Sequence, residues 1–144
     1  MSEPLLTPAM QAAVGTPGET RSVLIERGAI IRFADAIGDD NPRYRGDAPV
    51  APPTFLRSIG LSIPHLPDAE HAPLVLDGGS EWTYSASIHA GDTITCATKL
   101  EKLTEREGRH GPMLIATYFT EYSNQHGHQA ATQRNTLIRM RAAT

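Results

Sequence analysis

A change of apolar period divides this sequence in two. Between residues 28 and 38, Ile30, Phe33, Ala34 and Ile37 fall at i, i+3, i+4 and i+7, the spacing of an amphipathic helix. Gly38 is placed to end it as the C′ residue. From residue 81 the spacing becomes two. Trp82, Tyr84, Ala86 and Ile88 alternate with Glu81, Thr83, Ser85 and Ser87, and Ile94, Cys96, Thr98 and Leu100 continue on one face of a next strand. Residues 101–111 are charged and predict a hairpin tip. Residues 113–122 are apolar on both faces at Leu114, Ile115 and Ala116, so they predict a central strand. A turn around Gly127 leads into a last strand over 129–141. Helical segments followed by an antiparallel meander of about four strands predict an α+β domain in which one sheet covers a buried helix.

The stretch between the two regimes is the least ordinary. Residues 38–60 begin with turn formers and the carboxylates Asp39, Asp40 and Asp47. Pro52 and Pro53 then set an extended entry to a second helical pattern. Phe55, Leu56, Ile59 and Ile63 surround this second segment, Arg57 is its one charged residue, and Pro64 stops it. A mostly buried helix is expected there. An acidic loop at a buried helix N-terminus sets a carboxylate beside a natural anion site. Upstream, residues 1–20 are broken by proline and glycine and are expected to be an N-terminal extension, with Leu5, Leu6, Met10 and Val14 able to form a short docking helix. Residues 21–26 predict a first strand, and 65–73 a proline-rich connection.

At 144 residues, a single domain over 21–144 is expected, large enough for a core. The net charge of -3 gives no bulk electrostatic case for nucleic acid or an anionic membrane. The lone cysteine, Cys96, excludes an internal disulfide framework and reads as a small core residue. The N-terminal residues lack the positive charge and apolar run of an export signal, so a cytoplasmic protein is expected. No metal site is expected: His126 and His128 share a glycine turn with no third ligand nearby. Arg134, Arg139 and Arg141 differ in strand parity and cannot share one face without a bulge, which weakens a reading of them as a site for coenzyme phosphates.

Residues 38–44, Gly-Asp-Asp-Asn-Pro-Arg-Tyr, resemble the Gly-Asp-x-Asn-Pro-x-His signature of MaoC-like hydratases. Residues 50–56 (Val-Ala-Pro-Pro-Thr-Phe-Leu), 81–84 (Glu-Trp-Thr-Tyr), 91–93 (Gly-Asp-Thr) and 121–125 (Glu-Tyr-Ser-Asn-Gln) are similar to one branch of that family, the N-terminal or FAS1-like dehydratase domain. The resemblance spans roughly residues 20–140. It implies a hot-dog fold, an antiparallel sheet wrapped around a central buried α-helix, pairing into a double hot-dog dimer. It also implies interconversion of trans-2-enoyl-CoA and (3R)-hydroxyacyl-CoA with no cofactor beyond the thioester substrate.

In active members an aspartate and a histidine of the signature hold one water, and backbone N–H groups at the central helix stabilise the enolate. Carried onto this chain, the catalytic positions are Asp39, Asn41 and Tyr44, and the substrate-contacting ones are Pro53, Thr54, Phe55 and His89. Three departures stand out. Tyr44 occupies the histidine position, and a phenol is a poor base near neutral pH. Pro52-Pro53 replaces a His-Gly pair, and Pro53 has no N–H to donate. Five residues separate Tyr44 from Val50, a shorter loop than active enzymes carry. The expectation is a degenerate hot-dog subunit that shapes the acyl-CoA tunnel for a catalytic MaoC-like partner, a hydro-lyase as a heteromer and inactive alone. Two alternatives stand beside it: a self-sufficient hydratase, as a self-dimer, using Asp39 with Tyr44 or His89 as proton shuttle, and a module that binds acyl-CoA or lipid without turnover.

Overall fold

The structure, a computed structural model that describes residues 3–142, contains five strands in one antiparallel sheet. The chain runs α1 (Pro8–Ala12), β1 (Arg21–Leu24), α2 (Arg27–Ala36), three short 3-10 helices (Pro42–Tyr44, Pro53–Ile59 and Ala69–His71), then β2 (Leu74–Tyr84), β3 (Thr93–Gly108), β4 (Gly111–Ser123) and β5 (Gln129–Met140). The sheet order is β1-β3-β4-β5-β2. β4 lies at its centre, as its two-sided apolar pattern predicts. Leu114, Ala116, Tyr118, Thr120 and Tyr122 are buried on the inner face, and the alternate residues are half-buried on the outer one, except for exposed Glu121.

Three features of the strand half differ from the sequence reading. The meander holds only three strands, β3-β4-β5. β2 instead crosses to the far edge and pairs with β5, from Leu74 opposite Met140 to Tyr84 opposite Ala131. Period two identifies a strand but carries no information about its neighbour. β2 also starts earlier, at Leu74, and is exposed on both faces except at half-buried Trp82, because nothing flanks it on its outer side. Finally, the charged residues after Leu100 belong to β3, and the tip is only Arg109 and His110. A bulge between Leu100 and Lys102 turns both Leu100 and Leu103 inward, a spacing of three that hides the strand from a period-two reading.

The first helical pattern is α2, which buries Ile30 and Ala34. Gly38 follows it with φ of 70°, the left-handed conformation its position calls for. The second pattern departs from the expected long central α-helix. It is a seven-residue 3-10 helix, Pro53–Ile59, that buries Phe55 and Leu56 and ends at Gly60 with φ of 77°. Ile63 lies beyond that end, outside the helix, and is 43% exposed.

Two apolar clusters fill the inner face. One joins Ile25, Ile30, Phe55 and Leu56 to Ile94, Cys96 and Tyr122. The other is completed by the N-terminal segment: Leu5, Met10 and Ala13 pack on Leu100, Leu103, Leu114 and Tyr118. The anticipated docking helix is α1, capped by the Thr7 hydroxyl accepting from Met10 N–H at 3.1 Å. Glu105 Oε2 accepts from Leu5 N–H and Leu6 N–H, each at 2.7 Å, and ties this segment to β3. The extension is thus a structural part of the domain.

Between the clusters runs a buried polar belt. Thr98 and Thr120 share a hydrogen bond of 2.9 Å, Tyr122 Oη donates to Gln133 Oε1 at 2.9 Å, and Gln133 and Asn135 both donate to Ser80 Oγ at the β2 edge. Each amide is 1–2% exposed, and its pairing offsets the cost of burial. Met10→Ala should lower stability by about 2–5 kcal/mol, the range for truncating a buried large apolar side chain. Chemical denaturation measures this, and a loss below about 0.5 kcal/mol, the surface-substitution range, would contradict the placement of α1.

Candidate functional site

The loop from Gly38 to Arg45 is held by its own polar groups. Asp39 Oδ1 accepts from Asn41 N–H at 3.0 Å. Asn41 Oδ1 accepts from Arg43 N–H at 3.1 Å, and Tyr44 N–H returns to the Asn41 carbonyl at 3.1 Å. Arg45 clamps the loop from below, donating to the Asp39 carbonyl at 2.9 Å and pairing with Asp35 at 2.6 Å. Val50 N–H donates to the Arg43 carbonyl at 2.9 Å and fixes the exit. A short side chain that accepts from the backbone two residues on is what makes Asp and Asn good turn formers.

The brace delivers Arg43 and Tyr44 to a cavity of about 370 Å³. Pro52, Leu56 and Ile88 form its buried floor, while Arg43, Pro53, Tyr84, Ala86 and Ser87 form an exposed rim. The opposing wall is pinned by backbone bonds: Ala51 N–H donates to the Ile88 carbonyl at 2.7 Å and Ala90 N–H to the Pro49 carbonyl at 3.1 Å. Tyr84 stacks on Trp82 with ring centroids 6.0 Å apart, and Trp82 stacks on Tyr122 at 5.6 Å. Burial raises the phenol pKa of Tyr84 and pushes that of Tyr122 far above its ordinary value. These three rings are a stiff neutral stack rather than proton carriers. A second cavity of about 450 Å³ lies on the other side of the 3-10 helix, lined by Phe55, Phe33, Leu24 and Ile59.

The anticipated site residues divide between these places. Tyr44 and Pro53 line the first cavity. Asp39 and Asn41 do not; they brace the loop behind it. Thr54 is exposed and off the cavity wall, and Phe55 lines the second cavity, edge-on to Phe33 at 5.5 Å. His89 is exposed outside the first cavity, its Nδ1 3.8 Å from Asp92. Sequence reasoning passed over Arg43, Tyr84 and Ser87 as wall residues. Arg43 stood inside the signature, and the alternation of 81–88 held the other two.

Among the described residues no carboxylate or imidazole lines the first cavity, and no group of three His, Cys, Asp or Glu could hold a metal ion. The His126 and His128 rings lie 6.0 Å apart on a turn whose backbone N–H groups both bond Asn124 Oδ1. Cys96 is fully buried, and burial raises its thiol pKa, so it is inert. Arg134, on β5, pairs with Glu101, Arg139 donates to the Ala72 carbonyl, and Arg141, past the end of β5, donates to the Glu3 carbonyl, so each late arginine has its own partner. Chemically, the cavity offers an apolar floor, one cation and two phenols.

Residues 12–133 match the family described as FAS1-like, dehydratase domain region. The chain belongs to that family. A relative of this FAS1-like dehydratase domain, a UPF0336 protein from Thermobifida fusca (strain YX), is 29% identical over 128 residues, covering 79% of this chain and 82% of the relative. Among solved structures, a chain of the ChsH1–ChsH2 complex from Mycobacterium tuberculosis superposes with a TM-score of 0.73 at 17% identity, covering 94% of this chain and 93% of that one. A MaoC-like dehydratase from Rhodospirillum rubrum gives 0.70 at 20% identity, covering 92% and 95%. At these identities the structures establish the fold: a MaoC-like hot-dog domain.

One carboxylate outside the first cavity, Asp92, is electrostatically set. Burial works against ionisation of Asp92, but hydrogen bonds from His89 N–H at 2.8 Å and Gln125 Nε2 at 3.0 Å, with His89 and His126 nearby, outweigh it and lower its pKa. A depressed folded-state pKa contributes stability that is present above the unfolded value of 3.8 and is lost as pH falls through the folded value. Asp92→Asn should therefore destabilise the domain near neutral pH and flatten the acid limb of its stability profile below about pH 4, where carboxylates titrate. Urea titrations across pH 2–7, a range set by those carboxylate values, test this; an acid limb identical to wild type would contradict it.

Proposed function

We propose that this chain is the non-catalytic hot-dog subunit of a heteromeric (3R)-hydroxyacyl-CoA dehydratase, or trans-2-enoyl-CoA hydratase, and that its cavity forms part of the acyl-thioester tunnel. The observation that carries this reading is the cavity wall. Tyr44 stands where the resemblance places the proton-carrying histidine, Pro53 stands where a backbone donor is needed, and Asp39 holds the loop instead of facing the cavity. Hydration of an enoyl thioester needs a group that takes and returns a proton near neutral pH. Neither phenol on this wall meets that requirement.

The edge of the sheet supports a partner. β2 offers an unpaired strand with Leu74, Val75, Leu76 and Tyr84 each about half exposed, at 45%, 45%, 52% and 45%. A long apolar edge recruits another strand. Tyr84 and the adjacent Ala86 and Ser87 also form the rim, so a subunit paired there would wall the cavity. A hot-dog partner with an intact Asp/His pair would bring the missing chemistry, as in an assembly of two hot-dog chains. The reaction uses no cofactor beyond the thioester. A cytoplasmic setting suits the free, buried Cys96; no helix among the described residues is long and apolar enough to cross a membrane.

The test is a hydration assay with crotonyl-CoA. The purified chain alone should give no turnover above the uncatalysed rate. Turnover should appear when a MaoC-like hot-dog subunit carrying the Asp/His pair is added and a stable complex forms. Robust turnover by the isolated chain, diminished by Tyr44→Phe, would instead make Tyr44 a working proton shuttle and end this reading.

A further inference from the structure

The chain's arginines are mostly committed. Arg45 pairs with Asp35, Arg57 with Asp77 and Arg134 with Glu101, while Arg139 and Arg141 donate to backbone carbonyls. Arg43 differs. Its side chain makes no ion pair or hydrogen bond among the described residues, and it is the single cation on the wall of the first cavity. Its backbone is nevertheless fixed at both ends, its N–H on Asn41 Oδ1 and its carbonyl on Val50 N–H. The pinned turn places the Arg43 backbone in advance, so only its side chain has to be ordered on meeting an anion.

The cavity is polarised in the same sense. Pro52, Leu56 and Ile88 make an apolar floor, and Arg43 stands on the exposed rim. A ligand that fits this gradient is apolar at the inner end and anionic at the outer one. We propose that Arg43 recognises a phosphoryl group on the pantetheine arm that carries the acyl thioester, with the acyl group toward the floor. This rests on the tunnel reading above and adds to it the residue that orients the substrate. Guanidinium geometry matches a phosphate through paired N–H donors, which an ammonium does not reproduce.

Calorimetry with the chain, both alone and in complex with a catalytic hot-dog subunit, tests the assignment. The probes are crotonyl thioesters of coenzyme A, of 4′-phosphopantetheine and of pantetheine, which share the acyl group and differ in phosphate. Arg43→Ala should weaken the phosphate-bearing thioesters by about tenfold, the loss of one charge-assisted contact at an exposed rim, and leave the pantetheine thioester within about twofold, since its contacts do not change. Arg43→Lys should recover only part of the loss. A penalty on both phosphate-bearing probes assigns the contact to the phosphate next to pantetheine, which a carrier-protein arm also has; a penalty on the coenzyme A ester alone assigns it to the nucleotide phosphates. Equal weakening of all three, or of none, with wild type binding all three, overturns the role of Arg43 while sparing the tunnel reading. Failure of wild type to bind any of the three, in the complex as well as alone, overturns both.

Discussion

The hydrogen bond from Asn41 N–H to the Asp39 carboxylate is the point on which this site turns. It commits one oxygen of the signature aspartate to the backbone of its own loop. The Asn41 amide makes the next link, to Arg43 N–H, and Arg45 closes the brace from α2 through Asp35. What emerges at the cavity is then decided by sequence position: Arg43 and Tyr44, a cation and a phenol. The loop thus presents binding groups and retains its acid for itself. Pro53 extends the same logic at the head of the 3-10 helix, where a residue without an N–H stands on the wall.

The sheet explains how so short a helix can sit at the centre of a hot-dog domain. Seven residues of 3-10 helix bury Phe55 and Leu56 but cover only one of the two inner clusters. The second is covered by the N-terminal segment through Leu5 and Met10, and the strip between them is polar and internally satisfied through Thr98, Thr120, Gln133 and Asn135. The core is therefore divided, and the space on either side of the short helix remains as two cavities. A longer helix that kept Ile63 inward would change both. Polar residues buried in pairs cost little when every partner is present and a great deal when one is missing, so the belt fixes the β5–β2 register that places Tyr84 at the rim.

Much of this was legible from residue order. Ile30, Phe33, Ala34 and Ile37 gave α2, Gly38 its end, and the two-sided apolar run at Leu114–Ala116 the central strand. The resemblance of residues 38–44 to a signature marked the loop, and Tyr44 and Pro53 marked its departures. Other features depend on interactions that no local pattern carries. The bulge at Glu101 masks the strand through Leu103, and the crossing of β2 is set by pairing with β5 over a long sequence separation. The helical spacing of Phe55 to Ile63 is compatible with an α-helix until Gly60 ends it in the left-handed region. Asp39 was legible as a site residue, but its hydrogen bond to Asn41 was not, because an Asx turn and a catalytic carboxylate use the same residue type. Arg43 was hidden for the opposite reason: an exposed arginine in a turn is ordinary until its neighbours are seen to leave it unpaired on a cavity wall.

The claim that the signature acid braces the loop and takes no part in chemistry is tested most directly within an active assembly. With this chain reconstituted alongside a catalytic hot-dog subunit, Asp39→Ala in this chain should leave kcat within about twofold once the complex is saturated, because no interaction made only in the transition state is removed. A fall in kcat of roughly a hundredfold or more, the scale for loss of a general acid or base, with the complex still assembled, would contradict it and return Asp39 to the catalytic machinery.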